Sequence, residues 1–226
     1  MTFNVALVTG ATGGIGSAIS EELRTSGFRL ALLSRSISCH ESESMLAQRC
    51  DVTKVDEVEK AVTATLKKFG NIDVVINCAG RSHLGTVDEL TEQDIQAVYD
   101  VNVKGTINVC KAVLPCMKKQ KSGYIINIGS LRGIEYGVGK SAYSMSKSAV
   151  IAFSNVLAME TAEYGIKVTV INPGFVQTSL IRHRIAEEKL RAEDLTQPGD
   201  IAKVVLFLLE LSPGASIVEL NIGRLW

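Results

Sequence analysis

Short apolar runs alternate along the chain with longer amphipathic segments. The runs at 3–9, 28–34, 46–50, 72–77, 123–129, 166–171 and 216–222 predict strands. Many are rich in valine and isoleucine and apolar at consecutive positions, the pattern of strands buried on both faces of a parallel sheet. Amphipathic periodicity in the intervals predicts helices. Thr53 with Asp56, and Thr91 with Asp94, have the spacing of a helix N-cap and its acidic third position. Gly27, Gly70 and Gly165 stand where helices should stop. The stretch 36–48 is too polar and too short for a full crossover helix and reads as a loop or a single turn. Repeated β–α alternation predicts an α/β fold: a doubly wound parallel sheet of about seven strands with helices on both faces.

Composition narrows the picture. The chain has 226 residues, four prolines, and no internal repeat or linker-like tract, so 1–226 reads as a single domain. Twenty-four basic and 24 acidic residues leave a formal net charge of zero, which argues against a general electrostatic footprint for nucleic acid. The five cysteines (39, 50, 78, 110 and 116) are odd in number and contain no Cys-x-x-Cys pair. That speaks against a disulfide framework or a zinc site, so no metal is expected. No apolar run reaches the ~18 residues of a membrane span, and the first residues lack the charged start and long apolar core of a signal peptide. The expectation is a cytoplasmic protein with no membrane partner.

The first candidate chemistry lies at the end of the first strand. Thr9-Gly10-Ala11-Thr12-Gly13-Gly14-Ile15-Gly16 leads into a helix. Glycines permit a tight turn and a close approach of backbone to a pyrophosphate, and the helix start offers free N–H groups and the positive end of its dipole. In this context the turn predicts a dinucleotide site, hence a Rossmann fold. The second strand ends at Ser34-Arg35, where folds that prefer NAD place an acid for the ribose 2′-hydroxyl. A guanidinium pairs with a 2′-phosphate instead, so the reading favours NADP(H).

The second candidate lies in Ser141-Ala142-Tyr143-Ser144-Met145-Ser146-Lys147, which opens a helix running to about position 163. Residues four apart share a helix face, so Tyr143 and Lys147 point the same way. A nearby ammonium should lower the phenol's pKa from its usual value near about 10, and a tyrosine so tuned can pass a proton to or from a carbonyl oxygen. Ser130 ends the run 125–130, Asn77-Cys78-Ala79-Gly80 ends another strand, Asn172-Pro173-Gly174 a third, and Asn102 lies in the long helix after the fourth predicted strand. Parallel sheets bind ligands at this C-terminal edge.

Taken together, the glycine turn, Asn77-Cys78-Ala79-Gly80, Asn102, Ser130, Tyr143-x3-Lys147 and Pro173-Gly174 with Thr178 resemble the short-chain dehydrogenase/reductase family over nearly the whole chain. The run resembles in particular the 3-oxoacyl-acyl-carrier-protein reductases and related carbonyl reductases. The resemblance implies Tyr143 as general acid/base, Lys147 as the group that lowers its pKa and binds the nicotinamide ribose, Ser130 as the holder of the substrate carbonyl, and Asn102 as the holder of a water linking Lys147 to solvent. It implies cofactor contacts from Gly10, Thr12, Gly13, Gly14, Ile15, Gly16, Ser34 and Arg35. Asp51 and Val52 would flank the adenine. Asn77, Ala79 and Gly80 would line the adenosine side. Pro173 and Gly174 would border the nicotinamide, with Val176 and Thr178 near its carboxamide.

For substrate the sequence offers less. Leu131, Arg132, Tyr136 and Val138 lie between Ser130 and Tyr143 and are expected to wall the pocket; His83 reads as a surface-loop histidine. Residues 178–197 are expected to form a lid carrying Arg182, His183, Arg184, Lys189 and Arg191, balanced by Glu187, Glu188, Glu193 and Asp194. The favoured class is a 3-oxoacyl thioester of coenzyme A or an acyl carrier protein, reduced with NADPH. The alternatives are a reductase or dehydrogenase of small ketones, steroid-like alcohols, sugars or xenobiotic carbonyls and, remotely, a non-catalytic NADP(H) sensor. Many carrier-protein reductases have basic residues where this chain has Tyr124 and Tyr164, and the usual Asp-Gly-Gly near the last strand is replaced by Glu219-Leu220-Asn221-Ile222-Gly223-Arg224. Apolar surface on 91–118 and 141–163 predicts a homodimer or homotetramer.

Overall fold

The computed structural model describes residues 3–178, 191 and 195–223. Most of the predicted lid, with Arg182, His183, Arg184 and Lys189, and the tail from Arg224 therefore lie outside the described residues. The elements run β1 (Val5–Thr9), α1 (Gly14–Thr25), β2 (Arg29–Ser34), β3 (His40–Glu41), β4 (Met45–Arg49), α2 (Val55–Phe69), β5 (Val74–Asn77), α3 (Glu92–Tyr99), α4 (Gly105–Gln120), β6 (Gly123–Ile128), α5 (Ser141–Thr161), β7 (Ile166–Pro173), α6 (Pro198–Glu210) and β8 (Glu219–Ile222).

The strands form one sheet in the order β3-β4-β2-β1-β5-β6-β7-β8. Every pairing is parallel except that of β3 with β4. The sequence predicted seven of these strands; β3 is the addition, a two-residue antiparallel pairing at the edge within the stretch read as a loop. The inner strands are buried along their length, as their uninterrupted apolar runs require. Two cores fill the two faces. Val58, Val62, Val109, Val113 and Leu157 from α2, α4 and α5 cover one. Ile19, Leu23, Ile201, Val205 and Leu208 from α1 and α6 cover the other. Strand order reverses between β1 and β5, and the crevice at such a switch point opens at the C-terminal ends of the strands.

Local signals set some helix ends and not others. Thr91 and Asp94 form the expected reciprocal capping box. Gly70 and Gly165 cap their helices in the left-handed conformation, and Gly27 has a φ of 84° just after α1. Thr53 is not an N-cap. Lys54 occupies that position without a side-chain cap, because the Thr53 hydroxyl bonds Asp51 Oδ1 at 2.9 Å. The predicted long helix at 91–118 is also interrupted: residues 100–104 form a turn of π-helix between α3 and α4. Such bulges recur at functional sites because they re-aim side chains.

Candidate active site

The first part of the site is the turn after β1. Gly10 has a φ of 64°, and a Cβ there would stand 2.8 Å from the Ala79 backbone. The turn after β1 and the turn after β5 therefore touch across the switch point. Thr9 Oγ1 accepts the N–H groups of Cys78 (3.1 Å) and Ala79 (3.2 Å), which fixes the second turn to the first. A Cβ on Gly16 would collide with Gly10 O, and one on Gly14 would stand 2.7 Å from Thr178 Cγ2. Gly13 caps α1 with no side chain bonded to the helix start, and the first turn carries no acid. The N–H groups of this turn, with Ile15 in its middle, thus meet no competing side-chain cap.

At the end of β2 the Thr12 hydroxyl lies 2.7 Å from that of Ser34 and 3.2 Å from that of Ser36, beside exposed Arg35. The three hydroxyls form a cluster with Arg35 next along the chain and no acid in the 34–36 run, a set of donors suited to a phosphate. Ser36 was missed from sequence because it falls in a loop with no periodicity. Thr9 was quoted only as the head of the glycine motif. Asp51 spends its carboxylate on Thr53, and the Val52 side chain packs so closely on α4 that a Cβ at Gly105 would lie 2.6 Å from it.

The second part is polar and buried. Ser130 follows β6, and its hydroxyl accepts the Arg132 N–H at 3.1 Å. Tyr143 lies in the first turn of α5, where burial pushes its phenol above the usual tyrosine value and a hydrogen bond with the Ser130 side chain opposes that shift. This differs from the sequence expectation of a lowered value. The physical reason is that desolvation of the phenolate is the largest influence on Tyr143 in the ligand-free site. One helical turn on, Lys147 is buried, donates from Nζ to Ile128 O at 2.8 Å, and lies 5.9 Å from the centre of the Tyr143 ring. Burial pushes its ammonium down to about 8.

Asn102 sits in the π-turn and is fully engaged. Its Nδ2 donates to Arg81 O (2.9 Å) and Ser146 Oγ (2.9 Å), while its Oδ1 accepts the Arg81 N–H (2.8 Å). It ties the segment after Gly80 to α5. A Cβ on Gly80 would come within 3.6 Å of Asn102 Oδ1 and 3.9 Å of Lys147 Nζ. Bare backbone thus leaves room beside the lysine. Asn77 turns inward, donating to Asn127 Oδ1 at 2.9 Å, with its own Oδ1 buried and unpartnered among the described residues.

The segment after β7 closes the edge. Pro173 O receives a long bond of 3.4 Å from the Ser130 hydroxyl, Gly174 N bonds Ile222 O, and buried Val176 bridges Thr196. Asn172 Nδ2 donates to both Glu219 and Asn221 at 2.9 Å, so the altered terminal strand is anchored to this segment. The four expected pocket residues take different places. Leu131 packs toward Gly174 and Gly223, and the Arg132 N–H is held by Ser130 while its guanidinium reaches Glu135 O. Exposed Tyr136 and Val138 instead line a cavity of about 490 Å³ with Ser141, Ser144, Met145 and Ser148. Those helix positions belong to a different face of α5 from Tyr143 and Lys147. His83 lies 3.4 Å from Asp94. Tyr124 is wholly buried with its hydroxyl on Thr169, which removes it from any docking surface.

A glycine cradle without a competing side-chain cap, a phosphate-suited cluster at the next strand, and half-buried Tyr143 with buried Lys147 and Ser130 along the same edge fit a phosphorylated dinucleotide and a carbonyl compound together. The short chain dehydrogenase family model matches residues 4–189. The chain belongs to the short-chain dehydrogenase family. An uncharacterized oxidoreductase of Staphylococcus saprophyticus is 35% identical over 228 residues, 96% of each chain. Carbonyl reductase family member 4 of Xenopus tropicalis is 35% identical over 214 residues, 91% of each. Among solved structures, ElxO with NADP bound matches with a TM-score of 0.88 and 27% identity over 98% of both chains. A 3-ketoacyl-(acyl-carrier-protein) reductase from Brucella melitensis complexed with NADH matches at 0.90 and 24% identity, covering 97% of this chain and 96% of that one, which shows the shared fold. Among the described residues no helix is long and apolar enough to cross a membrane, and no group of three His, Cys, Asp or Glu could hold a metal ion.

Proposed function

We propose that this protein is an NADP(H)-dependent oxidoreductase that reduces a ketone to a secondary alcohol, with 3-oxoacyl thioesters as the favoured substrate class. The observation that carries the reading is the placing of Tyr143, Lys147 and Ser130 together at the sheet edge that also holds the glycine turn. The nicotinamide, when bound, supplies the hydride; the protein supplies position and protons. Ser130 holds the substrate oxygen. Tyr143, whose phenol burial holds above its already high ordinary pKa, donates its proton to the developing alkoxide. The Lys147 ammonium holds the ribose hydroxyls and stabilises the phenolate left behind. Asn102 fixes the backbone of Arg81 against α5 and so keeps Gly80 clear of Lys147; this is a positioning role beside the water-holding one that the family resemblance implies. Gly10, Gly13, Gly14, Ile15 and Gly16 would hold the cofactor's phosphates, and Thr12, Ser34 and Arg35 its 2′-phosphate.

The test is Tyr143→Phe. Turnover with NADPH and an acetoacetyl thioester should fall by about 10²–10⁴-fold, with NADPH affinity unchanged by fluorescence titration. Near-normal turnover refutes the assignment, and tight NADPH binding by the wild type with no activity on thioesters, diketones, quinones or simple ketones returns the sensor reading.

The chain also carries a self-association surface. Met145, Ala149, Ala152, Val156 and Met159 follow one another at alternating spacings of four and three along α5, the seam of a packed helix pair. Met145, Val156 and Met159 are 53%, 48% and 73% exposed. A homodimer, or a homotetramer built from it, covers this stripe. Sedimentation at micromolar concentration should show it, and a lone monomer would remove it.

A further inference from the structure

We propose that Arg132 makes the site selective for substrates that carry an anionic group, a carboxylate or a phosphate, close to the carbonyl they present. The proposal rests on the carbonyl-reductase reading above and adds the substrate's charge to it. Arg132 belongs to the short 3-10 turn Leu131–Gly133, whose start is held by the Ser130 hydroxyl accepting the Arg132 N–H. The arginine is therefore tied to the residue proposed to grip the carbonyl oxygen. Its guanidinium lies 5.6 Å from the centre of the Phe175 ring, in the segment that follows β7. It thus spans the two segments that flank the carbonyl subsite.

A guanidinium over an aromatic face keeps its N–H donors in the plane of the group, directed outward along its edge. Among the described residues those donors have one long bond, Nη1 to Glu135 O at 3.4 Å, and no carboxylate partner. Gly137 packs beside the guanidinium on one side, where a Cβ would stand 3.4 Å from Nη1. The other cation of the site is already committed, because Lys147 is buried on Ile128 O. A flat, charged fork of donors beside the carbonyl subsite fits a carboxylate or phosphate in two-pronged fashion.

Substrate pairs that differ in the charge beside the carbonyl test this. Wild type and Arg132→Gln are assayed by NADPH oxidation on 2-oxopropylphosphonate, a phosphate analogue, against its dimethyl ester, and on acetoacetate against methyl acetoacetate. In the wild type, kcat/KM should favour the charged member of at least one pair. Arg132→Gln should lose about ten- to a hundredfold on that member, mainly through KM, and less than about threefold on its neutral partner; Arg132→Lys should recover part of the loss. The first pair reports a phosphate and the second a carboxylate as the recognised group. An equal fall on charged and neutral substrates makes Arg132 a latch on Phe175 and overturns the proposal, as does no preference for charge in an active wild type. Should Arg132→Gln not fold, the wild-type preference and its loss with rising salt decide the question. A wild type inactive on these four and on acetoacetyl-N-acetylcysteamine overturns the parent reading and this proposal together.

Discussion

At the glycine turn a side chain is what the structure has no room for; in the first turns of α5, specific side chains are the whole point. A Cβ at Gly10 or Gly14 would stand within 2.8 Å of other atoms, and one at Gly16 would strike Gly10 O. The backbone there is shaped by close approach and kept in place by neutral hydrogen bonds from the Asn77–Gly80 turn to Thr9. On α5 a lysine is buried at 5% exposure with its pKa depressed, and a tyrosine is held with its pKa raised. Both shifts mean that the fold disfavours the charged forms of the groups it is proposed to use. One region is therefore ordered at little electrostatic cost, and the other retains groups that stability alone would not select.

The largest effect should come from filling the cradle. Gly16→Ala forces the turn open, with an expected loss of about 1–3 kcal/mol of stability and of measurable NADPH binding; unchanged binding by titration would show that the turn yields without cost. A smaller effect is expected at the rim of the same region. Arg35→Glu should reverse the preference between NADPH and NADH, with the loss falling on kcat/KM for NADPH by about tenfold or more. An unchanged ratio would assign the 2′-phosphate to the hydroxyls of Thr12, Ser34 and Ser36 alone.

The smallest effect is on stability, and it sharpens the contrast directly. Lys147 has a folded pKa of about 8 against the unfolded value of 10.5. Between those values the unfolded chain binds more protons, so this residue makes stability rise with pH from about 8 to 10.5. Lys147→Met should flatten that rise and unfold at a higher temperature at neutral pH, while turnover is lost. A denaturation series in which mutant and wild type run parallel would remove the electrostatic cost from the account.

Much of this was legible in the sequence because it is local. Strand runs, the Thr91–Asp94 cap and the stops at Gly70 and Gly165 depend on neighbours a few residues away. The family motifs likewise fix the residues of the candidate site by order and spacing. The failures share a cause. Thr53 was misread because Asp51 outcompeted the helix for its hydroxyl. Asn102 was placed in an ordinary helix because a π-turn depends on what the side chain must reach, here Arg81 and Ser146.

The sequence by itself determined the doubly wound fold and the family, and it singled out Tyr143, Lys147, Ser130 and the cradle glycines as candidates, since periodicity and motif spacing are properties of the chain. Only the tertiary structure decided the direction of the Tyr143 shift, the setting of the Arg132 guanidinium between Phe175 and Glu135, and the contact of the two turns across β1 and β5. Those depend on burial and on distances between segments far apart in sequence, and no local pattern encodes how much water a side chain loses when the sheet closes around it.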